Sequence, residues 1–88
     1  MKILLSNRDL YEYLLTLSSE LHKRGSGSSS ELVASASRKA TGMSTEFLGE
    51  ARIALRETLQ REKEILTPEE RRDLLDVLEQ LNRALDRR

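Results

Sequence analysis

The sequence predicts an all-α fold, a small four-helix bundle-like domain with a C-terminal αα-hairpin. Three observations lead to this prediction. The composition is leucine-rich and charge-rich, with 38% apolar and only 3% aromatic residues. The leucines recur at the three- and four-residue intervals of a helix face, and a strong helix start lies at Thr67, inside the charged C-terminal half. With 88 residues, the chain makes one domain, which we place at 1–88.

A Thr-Pro-Glu-Glu sequence ends one predicted helix and begins the next. Thr67 can accept a hydrogen bond from a free N–H group of the first turn, and Pro68 suits the first helical position, where no N–H donor is needed. Glu70, three residues after the cap, can reach back to the Thr67 N–H and complete a capping box. The junction therefore predicts helices at 45–66 and 68–86 that pack as an antiparallel hairpin.

The first helix is predicted at 7–24. Ser6 is its expected N-cap, and Gly25 follows basic residues, as is typical of a helix C-terminus. One helix face carries four regularly spaced leucines, namely Leu10, Leu14, Leu17 and Leu21. Leu5, just before the cap, is expected to pack on Leu10 as a hydrophobic staple.

The segment 25–30 consists only of glycine and serine, and this composition predicts a flexible connector whose serines could also cap the next helix. A short second helix follows at 31–41 and is stopped by Gly42. At the start of the third helix, Met43 is expected to pack on Leu48 as a second hydrophobic staple.

Four apolar residues lie beside or outside the central leucine stripes of their helices, and these are Tyr11, Leu15, Ile53 and Leu75. A short four-helix domain has few neighbours to cover both sides of each helix, so these positions are the candidate interface with a subunit or partner. The alternative is that they lie at the margin of the core with partial exposure, as single apolar residues often do. The sequence supports the two interpretations about equally.

The chain lacks the usual means of stabilising a small core. Cysteine is absent and His22 is the only histidine, so neither a disulfide nor a histidine-based metal cluster is possible. We therefore expect a partner chain, most simply in a homodimer. The sequence has no nucleophile motif, no Glu-x-x-His pair and no phosphate-binding loop. We expect no enzyme activity, cofactor, metal or small-molecule substrate.

The charges of the chain balance, with 15 Lys and Arg against 15 Asp and Glu and a formal net charge of zero. This balance argues against nucleic-acid binding, because the phosphate backbone attracts a basic excess.

The apolar run near the N-terminus is shorter than the ~7–15 residues of a secretory signal or the ~20 of a membrane span. We expect a cytoplasmic chain that does not enter a membrane. Glu57 and Arg61 have the favourable i, i+4 order for an ion pair on the third helix.

The Gly-Met-Ser sequence at 42–44, followed by Leu48, resembles the turn of a helix-turn-helix DNA-binding motif. In that family, a glycine and an apolar residue form the turn, and a capped recognition helix follows. The resemblance covers about residues 32–51 and implies phosphate contacts. The contacts that it implies are Arg38, Lys39 and Arg52. The sequence departs from the pattern at Arg38, where a small residue is usual, and at Glu46, which would face phosphates unfavourably.

These observations together predict a non-catalytic helical protein–protein interaction module, of the accessory, inhibitor, antitoxin or cochaperone type. It would bury leucine faces of its first and fourth helices against a second chain. The alternative is a small helix-turn-helix-like DNA-binding regulator that uses residues 32–51. The segment 66–71 is similar to the entry to the last helix of many bacterial regulators, including those of the MarR type, and this resemblance implies a helical interface. No family is predicted for the whole chain.

Overall fold

A computed structural model describes residues 3–41 and 44–86, and its four helices confirm the predicted all-α fold. The helices are α1 Asn7–Lys23, α2 Gly27–Ser37, α3 Ser44–Arg61 and α4 Pro68–Asp86, with a 3₁₀ turn at Arg38–Thr41 between α2 and α3. The bounds of α4 are as predicted, and α1 ends one residue earlier than predicted. The larger differences are in α2, which begins and ends four residues earlier than predicted, and in α3, which ends five residues earlier.

The helix α2 lies between α1 and α3 and runs antiparallel to α3. Glu62, just after α3, accepts a hydrogen bond from Ser26, just before α2. At the other end of the same pair, Lys39 forms an ion pair with Glu46 near the start of α3, with 3.6 Å between Nζ and Oε1. Contacts at both ends show that the two helices align along most of their lengths.

The helix α4 packs on α3, and contacts near both of its ends connect it to the α1 region. Arg24, at the end of α1, meets Glu70 in the first turn of α4, with 2.5 Å between Nη1 and Oε1. At the opposite end, the Leu4 N–H donates to the Gln80 side chain at 2.7 Å. Successive helices therefore alternate in direction, as in an up-down-up-down four-helix bundle.

The core is a single cluster of aliphatic side chains around one phenylalanine. Its buried members are Leu10, Leu14, Leu17, Leu21, Val33, Ala36, Phe47, Ala51, Ala54, Leu55, Leu66, Leu74, Val77, Leu78 and Leu81. The leucine stripe predicted on the first helix is thereby confirmed. Burial of a leucine side chain stabilises a fold by about 1.5–3 kcal/mol, so these stripes set which side of each helix faces inward.

The ends of α1 agree with the predicted caps, but the first hydrophobic staple is wrong. The Ser6 hydroxyl accepts from the Asp9 N–H at 3.2 Å, and Gly25 has a φ of 85°, the left-handed conformation that favours glycine. Leu5 is 86% exposed, so it does not pack on Leu10. Its backbone N–H instead donates to the Asp9 carboxylate at 2.8 Å, and this contact sets the chain direction before the helix.

The prediction of a flexible connector at 25–30 is wrong, because α2 begins at Gly27 and most of this segment is helical. The Ser30 hydroxyl donates to the Ser18 carbonyl of α1 at 2.8 Å, and the Ser18 hydroxyl donates to the Ser30 carbonyl at 2.9 Å. The Ser29 hydroxyl donates to a Glu62 carboxylate oxygen at 2.5 Å. Small serine side chains let α2 approach both neighbours, and their buried hydroxyls are satisfied across the helix interfaces.

The third helix ends at Arg61 rather than at residue 66, and a turn leads from it to Leu66, which is buried. The predicted capping box at the start of α4 is confirmed. The Thr67 N–H donates to Glu70 Oε1 at 2.9 Å, and the Glu70 N–H donates to Thr67 Oγ1 at 3.1 Å. The second predicted staple involves Met43, which lies outside the described residues.

Candidate protein interaction surface

The four candidate interface residues all remain exposed on the folded chain. The exposed fractions are 38% for Tyr11, 42% for Leu15, 59% for Ile53 and 53% for Leu75. Single exposed apolar residues are common on protein surfaces, so their grouping decides whether they form a binding site. The helix order divides them between two sides of the bundle.

Tyr11 and Leu15 lie on α1, on the side that faces α2. They are one helical turn apart, and Tyr11 lines a shallow groove together with Ser37 and Ala40. The hydrogen bonds of Ser18, one turn beyond Leu15, fix the same side of α1 against α2. This pair is therefore an apolar strip along the α1/α2 edge.

Leu75 lies on the opposite side of the bundle, where α3 and α4 meet, and Ile53 lies on α3 three residues before Arg56, which contacts α4. Leu75 is two helical turns before Asn82 and so shares its side of α4. The Asn82 Oδ1 atom accepts from Arg52 Nη1 at 3.3 Å and from Arg56 Nη2 at 3.2 Å, which identifies this side as the one facing α3. We call the set of these five residues the α3/α4 surface.

Sequence reasoning missed Arg56 and Asn82 as members of this surface. A signal was present, because Arg52 and Arg56 are like charges at i, i+4, a spacing that destabilises a helix unless a partner compensates it. Asn82 gave no signal, because its role depends on the alignment of α4 with α3. Its amide oxygen accepts from both guanidinium groups but leaves their charges without a counterion.

The unpaired cations of the domain are concentrated around α3 and the start of α4. In the described part of the chain, ion pairs involve Arg8, Lys23, Arg24, Arg38, Lys39 and Arg83. The basic residues without a carboxylate partner there are Arg52, Arg56, Arg61, Lys63, Arg71 and Arg72. The predicted pair of Glu57 with Arg61 does not form, since Arg61 donates to the Ser28 hydroxyl at 3.3 Å.

A groove between α1 and α4 has the opposite charge. It encloses about 520 Å³, and its lining residues are Ile3, Asp9, Glu12, Tyr13, Thr16, Leu17, Glu20, Glu70 and Asp73. We call it the α1/α4 groove. Its lining contains five carboxylates and no basic side chain. The groove therefore combines an acidic rim with apolar walls.

The charge of the α1/α4 groove is partly compensated, by Arg24 at one end and by Arg8, which pairs with Glu12. Arg24 pairs with both Glu20 and Glu70, and its hydrogen bond holds the pKa of the Glu70 carboxyl below its usual range. Burial, together with the charges of Asp73 and Glu70, raises the pKa of the Tyr13 hydroxyl. Tyr13 is therefore neutral at physiological pH and adds no charge to the groove.

The three candidate nucleic-acid contacts do not share a surface. Arg38 pairs with Glu31 at 3.1 Å and Lys39 pairs with Glu46 at 3.6 Å, both near the end of α2. Arg52 lies on the other side of α3 and faces α4. The lengthwise alignment of α2 with α3 also differs from the crossing of ~90–120° in a helix-turn-helix.

Neither a metal site nor a membrane-spanning helix is found among the residues that the structure describes. Within 3–41 and 44–86, no group of three or more His, Asp or Glu side chains could hold a metal ion. None of the helices described there combines the length and apolar character that crossing a bilayer requires. His22 lies exposed in the last turn of α1.

No family model matches this chain, and no curated protein and no solved structure is significantly similar to it. The arrangement of the exposed apolar and charged side chains is therefore the basis on which a function can be proposed. Exposed apolar side chains lie on two surfaces of the domain, the α3/α4 surface with its cationic groups and the apolar strip along the α1/α2 edge.

Proposed function

We propose that this chain is a non-catalytic helical protein–protein interaction module that acts in the cytoplasm and binds a second chain, in the simplest case another copy of itself. An accessory subunit, an inhibitor, an antitoxin or a cochaperone would each use such a module. The observation that carries the proposal is the exposure of Leu15, Ile53 and Leu75 on a domain whose other leucine stripes are buried in one core.

The physical reason is the apolar area that a partner would cover. Complete burial of a leucine side chain contributes about 1.5–3 kcal/mol, and Leu75 and Leu15 are about half exposed, so each can still contribute about 1 kcal/mol on binding. Neighbouring arginines suit such a site, because arginine is enriched among the residues that dominate binding energies at interfaces.

Association can be tested with Leu75→Glu and Leu15→Glu. Molar mass is measured by light scattering behind a sizing column over a range of loading concentrations, and circular dichroism checks that helicity is kept. We expect at least one variant to weaken association about tenfold, since burial of a carboxylate without a partner is costly. Ile65→Glu is the matched control, because Ile65 is similarly exposed but lies in the turn between α3 and α4.

Two outcomes would contradict the proposal. The proposed contact surfaces would be wrong if the wild-type chain associates and neither leucine variant changes its mass. The interaction function itself would be wrong if the wild-type chain stays monomeric at every concentration and captures no protein from an extract of the source cell.

DNA binding through residues 32–51 stays a prediction, and no contact among those residues favours it. A mobility assay with duplex DNA at low salt tests it directly. Binding that falls as salt rises and that Arg38→Glu weakens would support the regulator. An unchanged DNA mobility at the lowest salt would reject it.

A further inference from the structure

The α3/α4 surface has cationic groups that nothing in the described chain neutralises. Arg52 and Arg56 stand one turn apart, and both donate to the same neutral oxygen of Asn82. Each guanidinium has five N–H donors, so most donors of the pair remain for an acceptor outside the molecule. A carboxylate between the two groups would relieve the repulsion that this spacing creates.

Apolar side chains flank that pair of arginines. Ile53 is three residues before Arg56 and so adjoins it on the surface of α3, and Leu75 lies two turns from Asn82 along the same side of α4. Lys63 and Arg71 extend the positive charge toward the turn between the two helices. A ligand for this surface therefore needs carboxylates beside an apolar contact area, which is the chemistry of an acidic protein surface.

The same chain presents such a surface in its α1/α4 groove. Arg24 pairs with Glu20 and Glu70 and the exposed Arg8 pairs with Glu12, whereas Asp9 and Asp73 have no basic side chain within ion-pair distance among residues 3–41 and 44–86. Ile3 of the groove lining is exposed and supplies apolar contact area. The groove is concave, so protruding side chains such as Leu75 and Ile53 fit it better than a flat surface would.

Resting on the proposed function, we propose that the α3/α4 surface of one copy docks into the α1/α4 groove of a second copy. The two surfaces lie on different sides of α4, so the contact joins unlike faces and is heterologous. A symmetric contact of two α3/α4 surfaces would bring Arg52 and Arg56 against their own counterparts, and like-charge juxtaposition disfavours it. Each copy keeps one free surface of each kind, so assembly continues beyond two chains or closes into a ring.

The first test uses the full chain with charge-neutral variants of each surface. Light scattering over a concentration series is compared for Arg52→Gln/Arg56→Gln, for Glu12→Gln/Asp73→Asn, and for the control Arg38→Gln/Lys39→Gln. The control removes two positive charges, as the first variant does, but at the end of α2. We expect about tenfold weaker association for each of the first two variants and wild-type association for the control. Association should also weaken between ~0.1 M and ~1 M salt, as the Debye length falls from ~10 Å to ~3 Å.

A mixing experiment then tests the pairing of unlike faces. Arg52→Glu/Arg56→Glu and Glu12→Lys/Asp73→Lys should each be defective alone, because each brings like charges together in the contact. Mixed in equal amounts, the two variants should associate again, because each retains the native surface that the other lacks. Circular dichroism of each variant confirms that a loss of association is not a loss of folding.

The remaining outcomes separate this inference from the proposed function. If the wild-type chain associates and the Glu12→Gln/Asp73→Asn variant associates equally well, the inference is overturned. The proposed function would survive that result if Leu15→Glu breaks association through the α1/α2 edge. A wild-type chain that is monomeric up to about 1 mM at low salt would overturn it too and leave only a different partner protein. Binding of duplex DNA that depends on Arg52 and Arg56, without self-association, would reassign the surface to nucleic acid.

Discussion

The buried hydroxyl of Thr58 costs stability, so Thr58→Val should raise the free energy of unfolding of the domain. Its side chain is 0% exposed within α3, and its Oγ1 atom has no hydrogen-bond partner among the described residues. Burial of a hydroxyl without a partner costs about 1–3 kcal/mol in protein mutational data. Valine replaces the hydroxyl with a methyl group of similar size, and the two residues have similar helix propensities. We therefore expect a gain of about 1 kcal/mol in the free energy of unfolding.

Thermal unfolding followed by circular dichroism measures this effect. For a chain of this length, a gain of 1 kcal/mol raises the Tm by about 4–8 °C. Thr58→Ser is the matched control, because it keeps the hydroxyl and removes a buried methyl group, and we expect it to cost about 1 kcal/mol. If Thr58→Val melts at or below the wild-type temperature, the hydroxyl has a partner in solution and the reasoning is refuted.

Three further substitutions test local features of the fold. Thr67→Ala should lower the free energy of unfolding by about 1 kcal/mol, measured by urea titration, because it removes a cap that Thr67→Ser would keep. Gly25→Ala should cost about 1 kcal/mol in the same titration, since alanine is strained at a φ of 85°; an unchanged midpoint would contradict the helix C-terminus described for α1. The pKa of Glu70 is lowered in the folded state, chiefly by the Arg24 hydrogen bond. The ionised Glu70 therefore stabilises the fold fully above the unfolded pKa of about 4.3, and this stabilisation is lost as pH falls through the folded pKa. Glu70→Gln should therefore flatten the loss of stability measured by urea titration between about pH 5 and pH 3, and an equally steep loss in the variant would contradict this assignment.

The parts of the fold that could be predicted from the sequence depend on short-range signals. The capping box joins Thr67 to Glu70, three residues away, and the leucine stripe of α1 repeats within the helix itself. Such signals act before any tertiary contact forms, so the residues alone contain them. For the same reason, the bounds predicted for α4 agree with the structure.

The serine-rich segment could not be predicted in the same way, because its partners are distant in sequence. Ser30 bonds to Ser18, twelve residues away, and Ser29 bonds to Glu62, thirty-three residues away. Glycine and serine have low helix propensity, so the local sequence favours a flexible connector. Tertiary packing overrides that preference, since the burial of the small side chains lets α2 lie close to both neighbours.

The candidate surface shows the same division between local and distant information. Helix periodicity alone identifies Leu75 and Leu15 as positions off the core stripes, but the order of the helices decides that they lie on opposite sides. A net charge of zero likewise says nothing about where the charges lie. Around α4, the unpaired Arg52 and Arg56 of α3 lie on one side, and Glu70 and Asp73 line the α1/α4 groove on the other. A neutral chain with such segregated surfaces attracts copies of itself more readily than a chain with mixed surface charges, because association brings the opposite charges together and net repulsion is absent.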